Sequence, residues 1–301
     1  MERVFVTGCN GLLGQKLLQR FDGRYELIGG DIHPEPFLAN LPFTYHQLDI
    51  TNKRQLVKTV AEAAPAFVLN AAAFTDVDGA ETQKELCWKI NVTGVENLAS
   101  ACRKAESHLV HVSTDYIFDG KSGPYSEDAT PNPIGYYGKS KLAGENILLS
   151  SEIDWTITRT TVLYGAGQNL RLNFATWLVQ QLQAKKQVKI VDDQVGNSTI
   201  VEDLANGIFA VVQQKKTGIY NMSGADILSR LDFSYLLAEV FNLDKSLISA
   251  IKTADLNQKA PRPLNSGFIL QKAKSELNLD FMTTRESLEL LKKQLQNGVN
   301  G

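Results

Sequence analysis

The chain is poor in the residues that would place it outside the cell or on a metal. Its three cysteines, Cys9, Cys87 and Cys102, are odd in number and lack metal-ligand spacing. They read as reduced thiols of a cytoplasmic protein. No apolar run approaches the roughly 20 residues needed to span a bilayer. The opening residues Met1-Glu2-Arg3-Val4-Phe5-Val6 enter a strand at once rather than a secretory leader. Neither sign of charge is in excess: 31 Lys and Arg face 33 Asp and Glu, and a net charge of −2 offers nothing to nucleic acid or a membrane surface. Repeats, low-complexity tracts and obvious linkers are missing, and residues 281–301 hold no carboxylate cluster that requires magnesium. What remains is ordinary for a globular chain, 43% hydrophobic and 21% charged. Its 301 residues suffice for one large domain with a smaller appendage.

Strands and helices alternate from the start. Arg3–Thr7 is a short apolar strand that runs into Gly8-Cys9-Asn10-Gly11-Leu12-Leu13-Gly14, with a helical pattern from Gln15 to Phe21. Glycines at this spacing let the backbone turn tightly and bring its N–H groups against a diphosphate. A second strand, Tyr25–Gly30, ends at Asp31, 17 residues beyond Gly14, where a carboxylate can accept hydrogen bonds from an adenosine ribose. An acid there repels a 2′-phosphate, which favours NADH slightly over NADPH. Strands follow at Phe43–Leu48 and Ala66–Leu69, the latter entering Asn70-Ala71-Ala72-Ala73, small residues that let a cofactor lie flat. Asp49, next to Ile50, either meets the adenine or, like Thr51, caps a helix from Asn52 to Ala64. A long helix is expected from Glu81 to Ala105, with Asn91 on it in either a structural or a catalytic role. The alternation predicts an α/β fold, a doubly wound parallel sheet with ligands at the carboxyl ends of its strands.

The strand Leu109–Val112 leads into Ser113-Thr114-Asp115, and Tyr137-Gly138-Lys139-Ser140-Lys141 follows. A tyrosine and a lysine four residues apart share one helix face. A cation about 4 Å from the phenol, at an effective dielectric of ~20, favours the phenolate by roughly 4 kcal/mol before desolvation is counted. That predicts an amine that lowers the phenol's pKa, with a strand-end hydroxyl holding a carbonyl oxygen beside it.

Further on, the strand Trp155–Arg159 belongs to the sheet, and the chain leaves after Gly165-Ala166-Gly167 for a helix from Asn173 to Lys185 and the strand Val188–Val191. A helix from Val201 to Gln213 and the strand Gly218–Met222 return to the main domain, and Ser229–Phe241 is a further helix. Lys259-Ala260-Pro261-Arg262-Pro263 is a loop whose two cations suit a diphosphate. Leu288, Leu291 and Leu295 make one apolar face, for packing or a dimer contact. The expected division is a dinucleotide domain at 1–166 and 199–224, and a smaller C-terminal α/β substrate lobe at 167–198 and 225–301.

In order and interval, Thr7-Gly8, Gly11, Gly14, Asn70-Ala71-Ala72, Asn91, Ser113-Thr114 and Tyr137-x-x-x-Lys141 resemble the extended short-chain dehydrogenase/reductases. Asn70 to Asp78, Ser113 to Gly120, Tyr137 to Glu145, Asp193-Gln194-x-Gly196-x-x-Thr199 and Arg262-Pro263-x-Asn265-Ser266 resemble the dTDP-4-dehydrorhamnose reductases within them. The resemblance implies reduction of a nucleotide-linked 4-keto-6-deoxyhexose by NADH or NADPH. It makes Tyr137, Lys141, Thr114 and, second to it, Ser113 the catalytic set. It places Gly8, Asn10, Gly11, Leu12, Leu13, Gly14, Asp31, Asp49, Ile50, Asn70, Ala71, Ala72 and Asn91 at the cofactor, together with Tyr137 and Lys141. Thr75, Val77, Thr114, Asp115, Tyr116, Val162 and Arg262 fall at the sugar nucleotide. Departures sit mostly on the sugar side: Leu12 where the family has glutamine, Phe74 for tyrosine, Val162 for tryptophan, and no proline within Asn197-Ser198-Thr199. Two alternatives stay open. One is an epimerase or dehydratase on another nucleotide sugar, though Tyr116 stands where a dehydratase needs glutamate. The other is a non-catalytic relative of the methionine adenosyltransferase β subunit, which Val162-Leu163-Tyr164-Gly165 resembles. A homodimer is also left open.

Overall fold

The computed structural model describes residues 1–297, so the last four residues of the expected second lobe lie outside the described residues. Seven strands form one sheet: β1 Arg3–Thr7, β2 Glu26–Asp31, β3 Thr44–Gln47, β4 Phe67–Asn70, β5 His108–Thr114, β6 Trp155–Thr160 and β7 Gly218–Asn221. All pairings are parallel, in the order β7-β6-β5-β4-β1-β2-β3. The strand order reverses between β1 and β4, which opens a crevice above their carboxyl ends.

Helices α1 Leu12–Phe21, α2 Lys53–Ala63, α3 Gly94–Ala105 and α4 Tyr136–Leu149 cross between strands. Leu13, Leu17, Leu18 and Phe21 recur at helical spacing and bury α1 on one sheet face. Leu56 and Val60 of α2 pack with Leu98 and Cys102 of α3 on the other. The expected continuous helix over Glu81–Ala105 is broken. Short helices Gly79–Thr82 and Lys84–Trp88 precede a π-helical turn at Lys89–Thr93, and only then does α3 begin. The cause lies in Asn91 within that turn: Oδ1 accepts from Phe74 N–H at 2.8 Å and Nδ2 donates to Phe74 O at 3.1 Å, tying the turn to the loop after β4. The expected cap of α2 also shifts, because Asn52 Oδ1 accepts from Gln55 N–H while Asp49 Oδ1 accepts from Thr51 N–H.

A second core is built from α5 Phe174–Gln183, α7 Arg230–Val240, α9 Thr284–Gln296 and the parallel pair Val188–Val191 with Ile248–Ile251. Leu178, Leu182, Ile190, Phe233, Leu237, Leu288 and Leu291 fill it, so the apolar face of the last helix is intrachain packing. Part of the expected lobe at 225–301 packs elsewhere. Phe268, Leu270, Ala273, Leu277 and Phe281, around α8 Gln271–Leu277, sit in the core of the main sheet beside α6 Val201–Gln214. A hydrogen bond from Tyr220 Oη to Glu276 Oε2, 2.8 Å long, binds α8 to β7. No helix among the described residues is long and apolar enough to cross a membrane.

Candidate active site

A cleft of about 880 Å³ lies over the carboxyl ends of the strands. Its floor begins at the glycine turn. Gly8 has φ of +66° and its α-carbon presses on the backbone of Ala72, where a Cβ would come within 2.8 Å. A Cβ on Gly14 would stand 2.2 Å from the Gly8 carbonyl oxygen. No side chain caps the first turn of α1, whose orphan N–H groups open beside Gly11. Gly8, Gly11, Leu12, Leu13, Gly14, Ala71 and Ala72 all line the cleft. Asp31 is held at its edge, accepting from Asn10 N–H at 3.1 Å and His33 N–H at 3.2 Å. Asp49, Ile50 and Asn70 complete this end. A cradle that only glycine fits, an uncapped helix start and a fixed carboxylate suit a dinucleotide.

Two expected cofactor residues stand behind the cleft instead. Asn10 does not line it; its carboxamide donates to Glu35 O and accepts from Phe37 N–H. Asn91 is spent on Phe74 and on Ser140 Oγ at 3.0 Å, so it shapes the floor from beneath. Both are short amides that find backbone partners within the fold.

Tyr137, Lys141, Ser113 and Thr114 converge at the middle of the cleft, because β5 runs two residues further than expected and carries both hydroxyls to its end. Ser113 Oγ is buried and has no hydrogen-bond partner among the described residues. Thr114 Oγ1 donates to Asp115 Oδ1 at 3.0 Å and accepts from Tyr116 N–H at 3.2 Å. The expected effect of the amine on the phenol is corrected here. Lys141 Nζ turns to Val112 O at 2.7 Å and lies 3.3 Å from His111 Nε2. The phenol is pushed well above its ordinary value, chiefly by burial, with Asp115 and Tyr116 adding to the rise and the Thr114 hydroxyl opposing it. Burial brings Lys141 down to about 8, against the pull of Glu145 and Cys87. Such a phenol stays protonated, as a proton donor must.

The far end holds Thr75, Val77, Asp115, Tyr116 and Val162. Asp115 is pushed up to about 6 by burial, although Ser266 Oγ donates to its Oδ2 at 2.5 Å. Val162 has φ of 36°, a left-handed conformation that a β-branched residue adopts only under strain, and strain of that kind gathers at functional sites. Arg262 does not line the cleft. Its guanidinium is committed to Asp78 by two bonds of 3.1 and 2.9 Å and to Ala260 O. Besides Lys141, the cations that line the cleft are Arg171 and Arg230, both of which sequence reasoning missed, and Arg230 is the less exposed of the two. Arg230 Nη1 is buried with no partner among the described residues, and the Arg230 guanidinium stacks 4.8 Å from the Phe174 ring centre. The only local signal for Arg230 was a weak one: a cation in the first turn of α7, just after the cap Ser229, opposes the helix dipole, as Lys53 of α2 and Arg285 of α9 also do.

A glycine cradle at a sheet switch point, facing a buried Tyr–Lys pair and a hydroxyl-bearing strand end, defines a dinucleotide-dependent oxidoreductase of the short-chain class. The chain belongs to the RmlD substrate-binding domain family, which matches residues 1–297. It is 34% identical over 286 residues to a dTDP-4-dehydrorhamnose reductase of Aggregatibacter actinomycetemcomitans, covering 90% of this chain and 92% of that protein. The crystal structure of such a reductase from Clostridium acetobutylicum superposes with a TM-score of 0.88 at 31% identity, covering 98% of this chain and 99% of the other. That from Bacillus anthracis in complex with NADP gives 0.87 at 30% identity, covering 97% and 99%.

Proposed function

We propose that this chain reduces a nucleotide-linked 4-keto-6-deoxyhexose with NADH or NADPH, the substrate being dTDP-4-dehydro-L-rhamnose and the product dTDP-L-rhamnose. The observation that carries this is the convergence of Tyr137, Lys141 and the Ser113–Thr114 hydroxyls on the cleft that begins at the glycine cradle. A reduced nicotinamide bound there supplies the hydride. Tyr137 gives its proton to the alkoxide that forms at the ketone oxygen, and Thr114, once substrate turns its proton away from Asp115, holds that oxygen beforehand, with the unpaired Ser113 hydroxyl second to it. Lys141 holds the nicotinamide ribose with the donor that Val112 and His111 leave free. Gly8, Gly11 and Gly14 cradle the diphosphate, and Asp31 holds the adenosine ribose, which gives NADH a modest advantage. Arg230, rather than Arg262, meets the anionic part of the substrate. Residues 1–166 and 199–224, with the α8 region added, form the dinucleotide domain, and the rest the substrate lobe. Reduced thiols suit a cytoplasmic enzyme.

The dehydratase alternative is disfavoured by the site itself. Both oxygens of Asp115 are already engaged by Thr114 and Ser266, and Tyr116 supplies no second carboxylate. A screen of nucleotide-linked 4-ketosugars with NADH and NADPH, followed by nicotinamide absorbance, tests the proposal. Oxidation that depends on dTDP-4-dehydro-L-rhamnose is expected; a purified, folded protein that oxidises neither cofactor with any ketosugar contradicts it. In the same assay Asp31→Ser should lower the NADH-to-NADPH ratio of kcat/KM about tenfold, as loss of one charge-assisted contact implies.

A further inference from the structure

Beneath Lys141 a rung of buried polar side chains crosses three strands, and the reaction as derived uses none of them. Thr7 of β1, Asn70 of β4 and His111 of β5 are register partners across the sheet. Thr7 Oγ1 lies 2.7 Å from Asn70 Oδ1, Asn70 Nδ2 lies 2.9 Å from His111 Nδ1, and His111 Nε2 lies 3.3 Å from Lys141 Nζ. All four side chains are buried. The rung ends at Thr7, inside the sheet.

Proton counting decides what His111 does. A neutral imidazole has one N–H and one lone pair, and an ammonium can only donate. His111 stays neutral, because burial and the adjacent Lys141 both hold its pKa well below the usual histidine value. Its Nε2 must then accept from the amine, which puts its proton on Nδ1. The Asn70 carboxamide meets that proton with its oxygen after a half-turn, and its amide then donates to Thr7. His111, Asn70 and Lys141 are thereby paired, and Thr7 Oγ1 becomes the acceptor at the end of the rung. Of the three donors on Lys141, one goes to Val112 O, one to His111, and one is left for the cleft.

We propose that His111 is a positioning residue for the reduction, a neutral imidazole whose proton Asn70 fixes on Nδ1 and whose Nε2 holds the Lys141 ammonium in its working orientation. The inference rests on the reading of Lys141 as the group that holds the nicotinamide ribose. The other titratable groups facing Lys141 are Glu145 on its own helix and Cys87 from the preceding short helix, and neither is hydrogen-bonded to His111. Glu145 and Cys87 favour the ammonium through space, but its side-chain hydrogen bond among the described residues is the one to His111.

Two variants separate the imidazole's two bonds. His111→Gln carries an amide oxygen to the Nε2 position, whereas His111→Asn reaches only the Nδ1 position and leaves Lys141 short of an acceptor. With dTDP-4-dehydro-L-rhamnose and NADH, His111→Asn should lose at least about tenfold in kcat, the effect of one hydrogen bond to a charged group. The alkaline limb of its kcat–pH profile should move to lower pH, since the unheld ammonium loses its proton more readily. His111→Gln should keep kcat within about threefold of the parent and the alkaline limb in place. Two variants that are equally active, or equally impaired, overturn the role of His111. Turnover by the unaltered protein in the same assay is the control: its absence contradicts the proposed function, while its presence with indistinguishable variants contradicts this inference alone.

Discussion

Glu145 and Arg159 form a two-pronged buried ion pair: Arg159 Nη2 donates to Glu145 Oε2 at 2.7 Å and Nε donates to Oε1 at 3.1 Å. The pair fastens α4, which carries Tyr137 and Lys141, to β6, and Arg159 Nη1 reaches on to Glu127 O at 3.1 Å. Removing one partner strands a charge in the interior. Glu145→Ala is expected to cost about 3–5 kcal/mol, and the double change Glu145→Leu with Arg159→Met markedly less. Urea unfolding of the three proteins checks this, and a Glu145→Ala protein as stable as its parent would refute it.

Arg230 has its Nη1 buried and unpartnered among the described residues and sits in the first turn of α7, against the helix dipole. Burial pulls its guanidinium below its ordinary value, opposed by Tyr116 and Asp115. A site that holds such a group without an ion pair gives up stability for binding. Arg230→Leu should raise KM for the sugar nucleotide roughly 10- to 100-fold, as loss of an ionic contact implies, while the Kd for NADH stays put. Its melting temperature should equal or exceed that of the parent. Unchanged KM would remove Arg230 from the substrate end.

Asp115 and Asp203 are both pushed up to about 6, each chiefly by burial. A carboxyl whose folded pKa exceeds its unfolded one binds more protons when folded, so stability falls as pH rises between the two values. From pH 4 to 6 the protein should therefore lose stability through these two groups, and level off above. For Asp115 the shift corresponds to at most about 3 kcal/mol. Asp115→Asn should flatten the fall, leaving the part due to Asp203. Unfolding free energies at pH 4, 5, 6 and 7 measure it, and an identical slope in the variant would contradict the assignment.

The sheet was legible because its strands are short apolar runs closed by turn residues, and parallel order follows from the alternation. The catalytic set was legible because four side chains sit at fixed offsets on two adjacent elements, Ser113 and Thr114 on β5, Tyr137 and Lys141 on α4. What escaped was set by contacts between distant residues. Nothing local shows that Asn91 clasps Phe74, or that Asp78 claims Arg262 across 184 positions. The same holds for the amine of Lys141, which spacing aims at the phenol and a backbone carbonyl turns toward Val112. Arg230 left only a local trace shared with Lys53 and Arg285, a conflict with the helix dipole that does not distinguish a site residue.

Tyr137→Phe removes one oxygen from the cleft and leaves the glycine cradle untouched. Its single-turnover rate of NADH oxidation by dTDP-4-dehydro-L-rhamnose is the most direct measurement. A fall of about 10²- to 10⁴-fold, with Kd for NADH within about threefold of the parent, is what loss of the proton donor predicts. A rate within threefold of the parent would show that another group delivers the proton.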